Sequence, residues 1–312
     1  MKKENNIRVE MVRMEGDVAP FVQVDYVDKN AEEHTGLMLL DSACMGNILS
    51  NEMAEGIGEQ CRMEGEGTTL YSIAHETVNA ENVRFSFAFG GTQFHDTFCI
   101  TPRELPIKVK GMAVIGILGL RFLTNHRMVI DYSDYTLHTS EVNHENLTST
   151  DCSFFFPMEI GLKYYGLPVV CIRQDGKEIV ALVDTGATTN LIARKSIEEN
   201  SFECKILPGK DVMQGITGGV DVGMARVRFQ LVSLNGDEEV EVGCSARFAV
   251  TPDYIYEAKE EYCEVSEEQV PPAEMLLSSP FIANSRWALD FGAGIAYKRK
   301  ADRLSYINNN LA

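Results

Sequence analysis

The sequence predicts a mainly β protein of two similar β-barrel lobes, related by a pseudo-twofold axis, with a cleft between them. Three observations favour this fold class. The chain repeats itself, each copy contains an apolar run ending in an aspartate, and nearby segments alternate between apolar and polar residues. The 312 residues suffice for two domains of ordinary size. We place the lobes at residues 1–145 and 146–312, because a polar stretch separates the two copies.

The internal repeat is clearest around the two aspartates. Aligning Asp184 with Asp41 brings the segment LVDTGATTNLI onto LLDSACMGNIL. Further along each copy, four residues recur with identical internal spacing. They are Phe122, Asn125, Arg127 and Asp131 in the first copy, and Phe281, Asn284, Arg286 and Asp290 in the second. Matching blocks in the same order indicate two copies of one lobe.

Turn and hydropathy signals predict the elements of each copy. In the first copy, residues 21–27 and 37–40 are predicted strands joined by a polar turn at 28–34. In the second, the apolar segments 169–172 and 179–183 flank Asp175-Gly176, a pattern typical of a β-hairpin. A short helix is predicted after each aspartate motif, near residues 51–54 and 193–200. Alternation at residues 83–87 indicates a half-buried strand.

Composition and charge exclude several function classes. The net charge of −18 argues against a surface that binds nucleic acid or an anionic membrane. No run of eighteen apolar residues is present, so no membrane span is predicted. The basic residues near the start are not followed by an apolar run, so no signal peptide is predicted in the sequence and we expect a cytoplasmic location.

No motif for a metal or cofactor is present. The eight cysteines form no CxxC pair, and the six histidines form no HExxH motif. A GxSxG serine-hydrolase motif is also absent. Cys44 follows an aspartate motif, but as a single thiol without a paired histidine it is interpreted as a small buried apolar residue. We therefore expect no metal and no cofactor.

The two aspartate motifs resemble those of the aspartic peptidases, in both their retropepsin-like and their bilobed pepsin-like branches. In that family an apolar pair precedes Asp-Thr/Ser-Gly, as at Asp41-Ser42-Ala43 and Asp184-Thr185-Gly186. Two apolar residues and a glycine then follow later in each lobe. Here these elements are Ile117-Leu118-Gly119 and Leu276-Leu277-Ser278. The resemblance extends over residues 17–299 and implies two lobes of the acid-protease type.

The resemblance implies an endopeptidase in which Asp41 and Asp184 form a catalytic dyad. Two adjacent carboxyls cannot both ionise cheaply, so one holds a proton that the other has lost. One then takes a proton from water while the other polarises the scissile carbonyl. The hydroxyls of Ser42 and Thr185 are expected to bond the backbone of the opposite lobe. Ala43 and Gly186 are small enough for an extended peptide substrate to approach.

A hairpin flap over the cleft is also implied by the resemblance. Candidate substrate-binding residues are Tyr71 and Ile73 in the first lobe and Ile216, Thr217 and Gly218 in the second. For Tyr71, packing on a strand is the alternative interpretation. Because one chain supplies both half-sites, we expect a monomer whose partner is a peptide or protein substrate in extended conformation.

Two alternatives to the peptidase remain open. Ala43 and Ser278 occupy positions where the family has glycine. A catalytically impaired pseudopeptidase would keep the cleft and act as a peptide-binding module. A third interpretation is a structural or interaction protein that uses the doubled lobe as a framework.

Overall fold

Two β-sheets of similar connectivity carry the two aspartates in the computed structural model of the chain. The structure describes residues 6–13, 18–58, 61–63, 67–71, 77–101, 108–140, 152–160, 167–214, 219–235, 238–252 and 272–299. The predicted lobe boundary near residue 145 lies outside these ranges and stays a prediction.

The amino-terminal lobe contains a seven-stranded sheet. Its strands, in chain order, are β2 (Phe21–Val27), β3 (Glu33–Asp41), β4 (Asn47–Ser50), β7 (Asn82–Phe89), β8 (Thr92–Thr101), β9 (Lys108–Val109) and β10 (Met112–Gly119). The spatial order is β3-β2-β7-β8-β4-β10-β9, and a further pairing of β3 with β10 closes the sheet. A separate hairpin is formed by β5 (Thr68–Tyr71) and β6 (Thr77–Ala80), and the helices are α1 (Asn51–Ile57) and α2 (Leu120–Asn125).

The carboxy-terminal lobe contains an eight-stranded sheet. Its strands are β14 (Glu159–Ile160), β15 (Pro168–Gln174), β16 (Lys177–Asp184), β17 (Asn190–Ala193), β18 (Cys204–Gln214), β19 (Gly219–Asn235), β20 (Glu238–Thr251) and β21 (Ala273–Ser278). The spatial order is β14-β15-β16-β21-β17-β20-β19-β18, closed by a further pairing of β15 with β19. The helices are α3 (Arg194–Glu199) and α4 (Ser279–Asn284).

A third, six-stranded sheet joins the lobes. Its spatial order is β1 (Arg8–Glu10), β12 (Thr136–Thr139), β11 (Met128–Asp131), β22 (Ala288–Asp290), β23 (Ile295–Arg299) and β13 (Cys152–Pro157). The central pair comes from the two copies, with Ile130 opposite Leu289 in antiparallel register. The equivalent blocks recognised in the sequence therefore meet at the lobe junction.

The strands that end at the aspartates are central in their sheets, which explains their apolar sequences. β3 lies between β2 and β10, and β16 lies between β15 and β21. In both cases the second partner is parallel, so that Gly119 lies opposite Asp41 and Ser278 opposite Asp184. Strands covered on both faces favour continuous apolar runs. The predicted mainly β, two-lobed fold class is confirmed.

Of two local predictions about turns, one is confirmed and one is wrong. In the second copy Asp175 and Gly176 both have positive φ, as a two-residue hairpin turn with right-handed strand twist requires. In the first copy β3 begins at Glu33, inside the predicted turn 28–34. The prediction was wrong there because Tyr26 and His34 are a cross-strand pair whose rings stack 5.5 Å apart.

Candidate active site

Asp41 and Asp184 end equivalent strands and have the same hydrogen-bond environment. One carboxylate oxygen of Asp41, Oδ1, accepts the backbone N–H groups of Ala43 and Cys44 at 2.9 and 3.0 Å. Oδ1 of Asp184 accepts those of Gly186 and Ala187, both at 2.9 Å. Each loop thus turns its amides towards its own carboxylate and fixes the orientation of that group.

The hydroxyls of Ser42 and Thr185 bind the two loops to each other. The Ser42 amide donates to Thr185 Oγ1, and the Thr185 amide donates to Ser42 Oγ, each at 3.0 Å. Ser42 Oγ also donates to the carbonyl of Val183 at 2.6 Å, and Thr185 Oγ1 to that of Leu40 at 2.7 Å. Both side chains are fully buried. This reciprocal set of bonds holds loops from the two lobes in fixed contact.

Gly186 lies against both carboxyl groups. A Cβ atom built on Gly186 would lie only 2.4 Å from Cγ and Oδ2 of Asp41, while the Gly186 amide already bonds Asp184. Glycine is therefore required here because the Asp41 carboxyl lies so close to its Cα. The backbone conformation does not require it, since φ of Gly186 is not positive. The carboxyl of the first lobe occupies the space that a larger residue in the second lobe would fill.

Burial raises the pKa of both carboxyls, and the charge of Asp41 raises that of Asp184 further. Burial raises the pKa of Asp41, and its two amide bonds only partly offset this. Burial and the charge of Asp41 raise the pKa of Asp184 to about 8. Because the two groups are coupled, the proton belongs to the pair rather than to one isolated residue. At neutral pH the pair can therefore hold a proton and a negative charge together, which is the state needed for acid and base chemistry.

Two buried asparagines behind the dyad were not assigned a role from the sequence. Asn47 Oδ1 accepts the amide of Gly119 at 3.0 Å, and Asn190 Oδ1 accepts that of Ser278 at 2.9 Å. Their amide groups donate to carbonyls of the neighbouring strand, at Thr97 and Arg247. The signal was present in the sequence, because both asparagines fall at the same place in the aligned segments LLDSACMGNIL and LVDTGATTNLI.

Ser278 is accommodated where the first lobe has glycine. At Gly119 an added Cβ would lie 2.2 Å from the carbonyl oxygen of Gly46, so a side chain is excluded. Ser278 is fully buried, and its Oγ donates to Asn190 Oδ1 at 2.9 Å. A buried hydroxyl with a hydrogen-bond partner avoids the cost of an unsatisfied polar group.

Ala43 has an ordinary backbone conformation, since it is not among the residues with positive φ. We expect Ala43→Gly to leave the predicted peptidase activity unchanged and to lower the free energy of unfolding by about 0.4–1 kcal/mol, because glycine adds freedom to the unfolded chain. Urea denaturation and initial rates measure the two effects. A clear gain in activity would contradict the observed geometry.

The Cys44 thiol is not an alternative nucleophile. Burial and the charge of Asp41 raise its pKa well above the ordinary value, and its Sγ lies 3.0 Å from the Gly46 carbonyl. A nucleophilic cysteine needs the opposite shift towards the thiolate.

Among the described residues, one group has the composition of a metal site. Ligand atoms of Asp28, Glu32 and His34 lie within 4.8 Å of one another, where the turn after β2 leads into β3. Oδ1 of Asp28 already accepts the amides of Asn30 and Glu32, at 2.8 and 2.9 Å. These bonds explain the cluster as part of the turn.

In the sequence, the remaining predicted substrate-binding residues stand at the end of β5 or between paired strands. β5 and β6 pair antiparallel, and so do β18 and β19. Tyr71 ends β5, but its side chain is not described. Ile73, Ile216, Thr217 and Gly218 lie outside the described residues, so their role in substrate binding stays a prediction.

Comparison with known proteins identifies the fold. No family model matches the sequence, and no curated protein matches it significantly. Among solved structures, the crystal structure of Basic 7S globulin from soybean matches with a TM-score of 0.52 and 11% sequence identity. The match covers 96% of this chain and 98% of that chain. That protein has the pepsin-like two-barrel fold, and at this identity the likeness shows the fold alone. Within the described residues no helix is long and apolar enough to cross a membrane.

Proposed function

We propose that the protein is an aspartic endopeptidase in which Asp41 and Asp184 activate a water molecule against a peptide bond. The observation that supports this most is that two half-buried carboxyls, one from each lobe, lie against Gly186. Their loops come from equivalent positions and are joined by reciprocal hydroxyl bonds. Carboxyls whose pKa values are raised by burial and by a neighbouring charge are characteristic of acid–base catalytic sites.

The proposed reaction divides the work between the two carboxyls. We assign the shared proton to Asp184, whose pKa is raised to about 8, and the base role to Asp41. Asp41 takes a proton from water as the oxygen attacks the scissile carbonyl, while Asp184 donates its proton to the carbonyl oxygen. The tetrahedral diol then collapses. The carbonyl reforms, the C–N bond breaks, the amine receives a proton from Asp41, and Asp184 recovers its own.

Assaying the purified chain on a mixed peptide library, with and without a statine-type transition-state analogue, tests this function. Cleavage that the analogue blocks supports the peptidase, because such analogues bind far more tightly than substrates. Tight binding of the analogue without cleavage instead indicates the peptide-binding module. If the chain neither cleaves peptides nor binds the analogue, the interpretation as a structural or interaction protein remains and the proposal is contradicted.

The pH dependence of activity follows from the raised pKa values. Deprotonation of the pair ends activity on the alkaline side, and with Asp184 at about 8 the singly protonated state persists into the neutral range. We expect a bell-shaped profile of kcat/KM with its maximum in the mildly acidic to near-neutral range. An optimum in strong acid would contradict this assignment.

The variant Ala187→Ser tests the cause of that profile. Asp184 receives only backbone N–H groups from its own loop, including that of Ala187. A serine hydroxyl at this position supplies a further donor to the charged form, which lowers the pKa of the pair. The alkaline limb should therefore move towards acid. If a variant of normal stability has the same pH profile of kcat/KM as wild type, hydrogen bonding to Asp184 does not set that profile.

A further inference from the structure

An open cavity of about 480 Å³ lies in the carboxy-terminal lobe beside the Asp184 loop. Its lining includes Thr188, Thr189 and Ser278 together with Arg226 and Arg247. We propose that this cavity is a subsite that binds an acidic side chain, aspartate or glutamate, of the peptide substrate. The proposal rests on the peptidase function above and extends it to the substrate class.

The cavity adjoins the loop that carries Asp184, and we infer that a substrate bound at the two aspartates passes it. Thr188 and Thr189 follow Ala187, whose amide bonds Asp184, in the same loop. Ser278, on the other side, is the direct register partner of Asp184 in the neighbouring strand. An extended peptide advances about 3.3 Å per residue, so a side chain within a few residues of the scissile bond can enter this cavity.

Basic side chains are arranged across three adjacent strands, and those of two strands, Arg226 and Arg247, line the cavity. Arg226 in β19 lies opposite Arg247 in β20, and also opposite Lys205 in β18. Directly opposite residues of antiparallel strands project from the same face, with Cβ atoms about 4.5–5.5 Å apart. Like charges in that position repel each other and destabilise the sheet. In a chain of net charge −18, such a row of basic residues offers a local positive surface to a negative ligand.

Arg228, on the same face of β19, shows how an arginine of this sheet is otherwise neutralised. Its guanidinium binds both carboxylate oxygens of Glu203 at 3.0 Å. In the described part of the chain neither Lys205 nor Arg226 has an ion pair, and none of the residues lining the cavity is acidic. Among the described residues none neutralises Arg226, so its charge is available to a bound carboxylate.

The chemistry of the lining suits a carboxylate. A guanidinium presents paired N–H donors that match the two oxygens of a carboxylate. Ser245, Asn284 and Ser285 add further polar groups around the same space. Arg226 and Arg247 are both exposed, so a ligand can reach them without displacing packed side chains.

The test uses a peptide library in which each position near the cleavage site is varied. We expect wild-type protein to prefer glutamate over glutamine at one position by about tenfold in kcat/KM. The double variant Arg226→Glu, Arg247→Glu should replace this preference with one for lysine. The matched control Arg228→Glu should keep the wild-type preference. Cleavage with no acidic preference, or a preference that survives the charge reversal, would overturn the subsite while leaving the peptidase standing.

A binding arm separates failure of the subsite from failure of the peptidase. Peptides retained by the Asp184→Asn variant, identified by mass spectrometry, should be enriched in acidic residues at one position even without turnover. Charge reversal at Arg226 and Arg247 should remove that enrichment. Sodium sulfate, compared with sodium chloride at equal ionic strength, serves as the small-anion probe. Thermal stabilisation by sulfate without retention of acidic peptides would assign the cavity to a free anion and overturn the proposal.

Discussion

Asp41→Asn and Asp184→Asn are each expected to lower the rate of peptide hydrolysis by about 10²–10⁴-fold, because an amide can neither take nor give the proton. The two residues act as a unit, so the double variant should be no worse than either single variant. Asp175→Asn in the β15–β16 turn is the matched control, since asparagine is favoured where φ is positive and the turn lies outside the site. Substantial activity in either dyad variant would remove that carboxyl from the mechanism.

The stability of the same variants checks the burial of the dyad without any substrate. A carboxyl whose folded pKa is raised loses stability as pH rises from its ordinary pKa to its folded one. For Asp184 that interval runs from about 4 to about 8. The neutral isostere in Asp184→Asn has no such loss, so its stability relative to wild type should rise over this interval. Urea denaturation at several pH values measures the difference, and parallel curves would contradict the raised pKa.

Gly186→Ala is expected to lower activity by about 10²-fold, although it adds only one methyl group. The new Cβ would lie 2.4 Å from Cγ of Asp41, well inside van der Waals contact. The Asp41 carboxyl or the loop must shift, and displacement of a reacting group by about 1 Å has an effect of this size. The overlap should also reduce the free energy of unfolding by about 1–3 kcal/mol.

Gly243→Ala in β20 is the matched control for this change. Nothing lies within 4 Å of a Cβ at that position, and its φ is not positive. Activity and stability should therefore remain close to those of wild type. Full activity in Gly186→Ala would show that the two carboxyls are not held together at this glycine.

The repeat predicted the symmetric part of the molecule well. Asp41 and Asp184 were recognised because a carboxylate at the end of an apolar run is unusual, and the repeat places it twice. The predicted two-lobed β fold followed from the same repeat. Prediction was weaker where long-range contacts decide the outcome. The start of β3 depends on the stacking of Tyr26 with His34, and the fit of Ser278 depends on its bond to Asn190.

The charged cavity shows a different limit of sequence reasoning. Lys205, Arg226 and Arg247 are far apart in the sequence, and strand register alone brings them together. Register is set by which face of the strands is buried and by the turns that join them, not by the basic residues themselves. Asn47 and Asn190, by contrast, stand in the aligned motifs, and a role in bonding the neighbouring loop follows once they are known to be buried.

Active-site titration tests the central claim most directly. Initial cleavage rates of the purified chain are measured against increasing amounts of a tight-binding statine analogue. One chain carries both Asp41 and Asp184, so the rate should fall linearly to zero at about one analogue per chain. An end point at half an equivalent would place the dyad between two chains. A rate that the analogue does not reduce would contradict the aspartic mechanism itself.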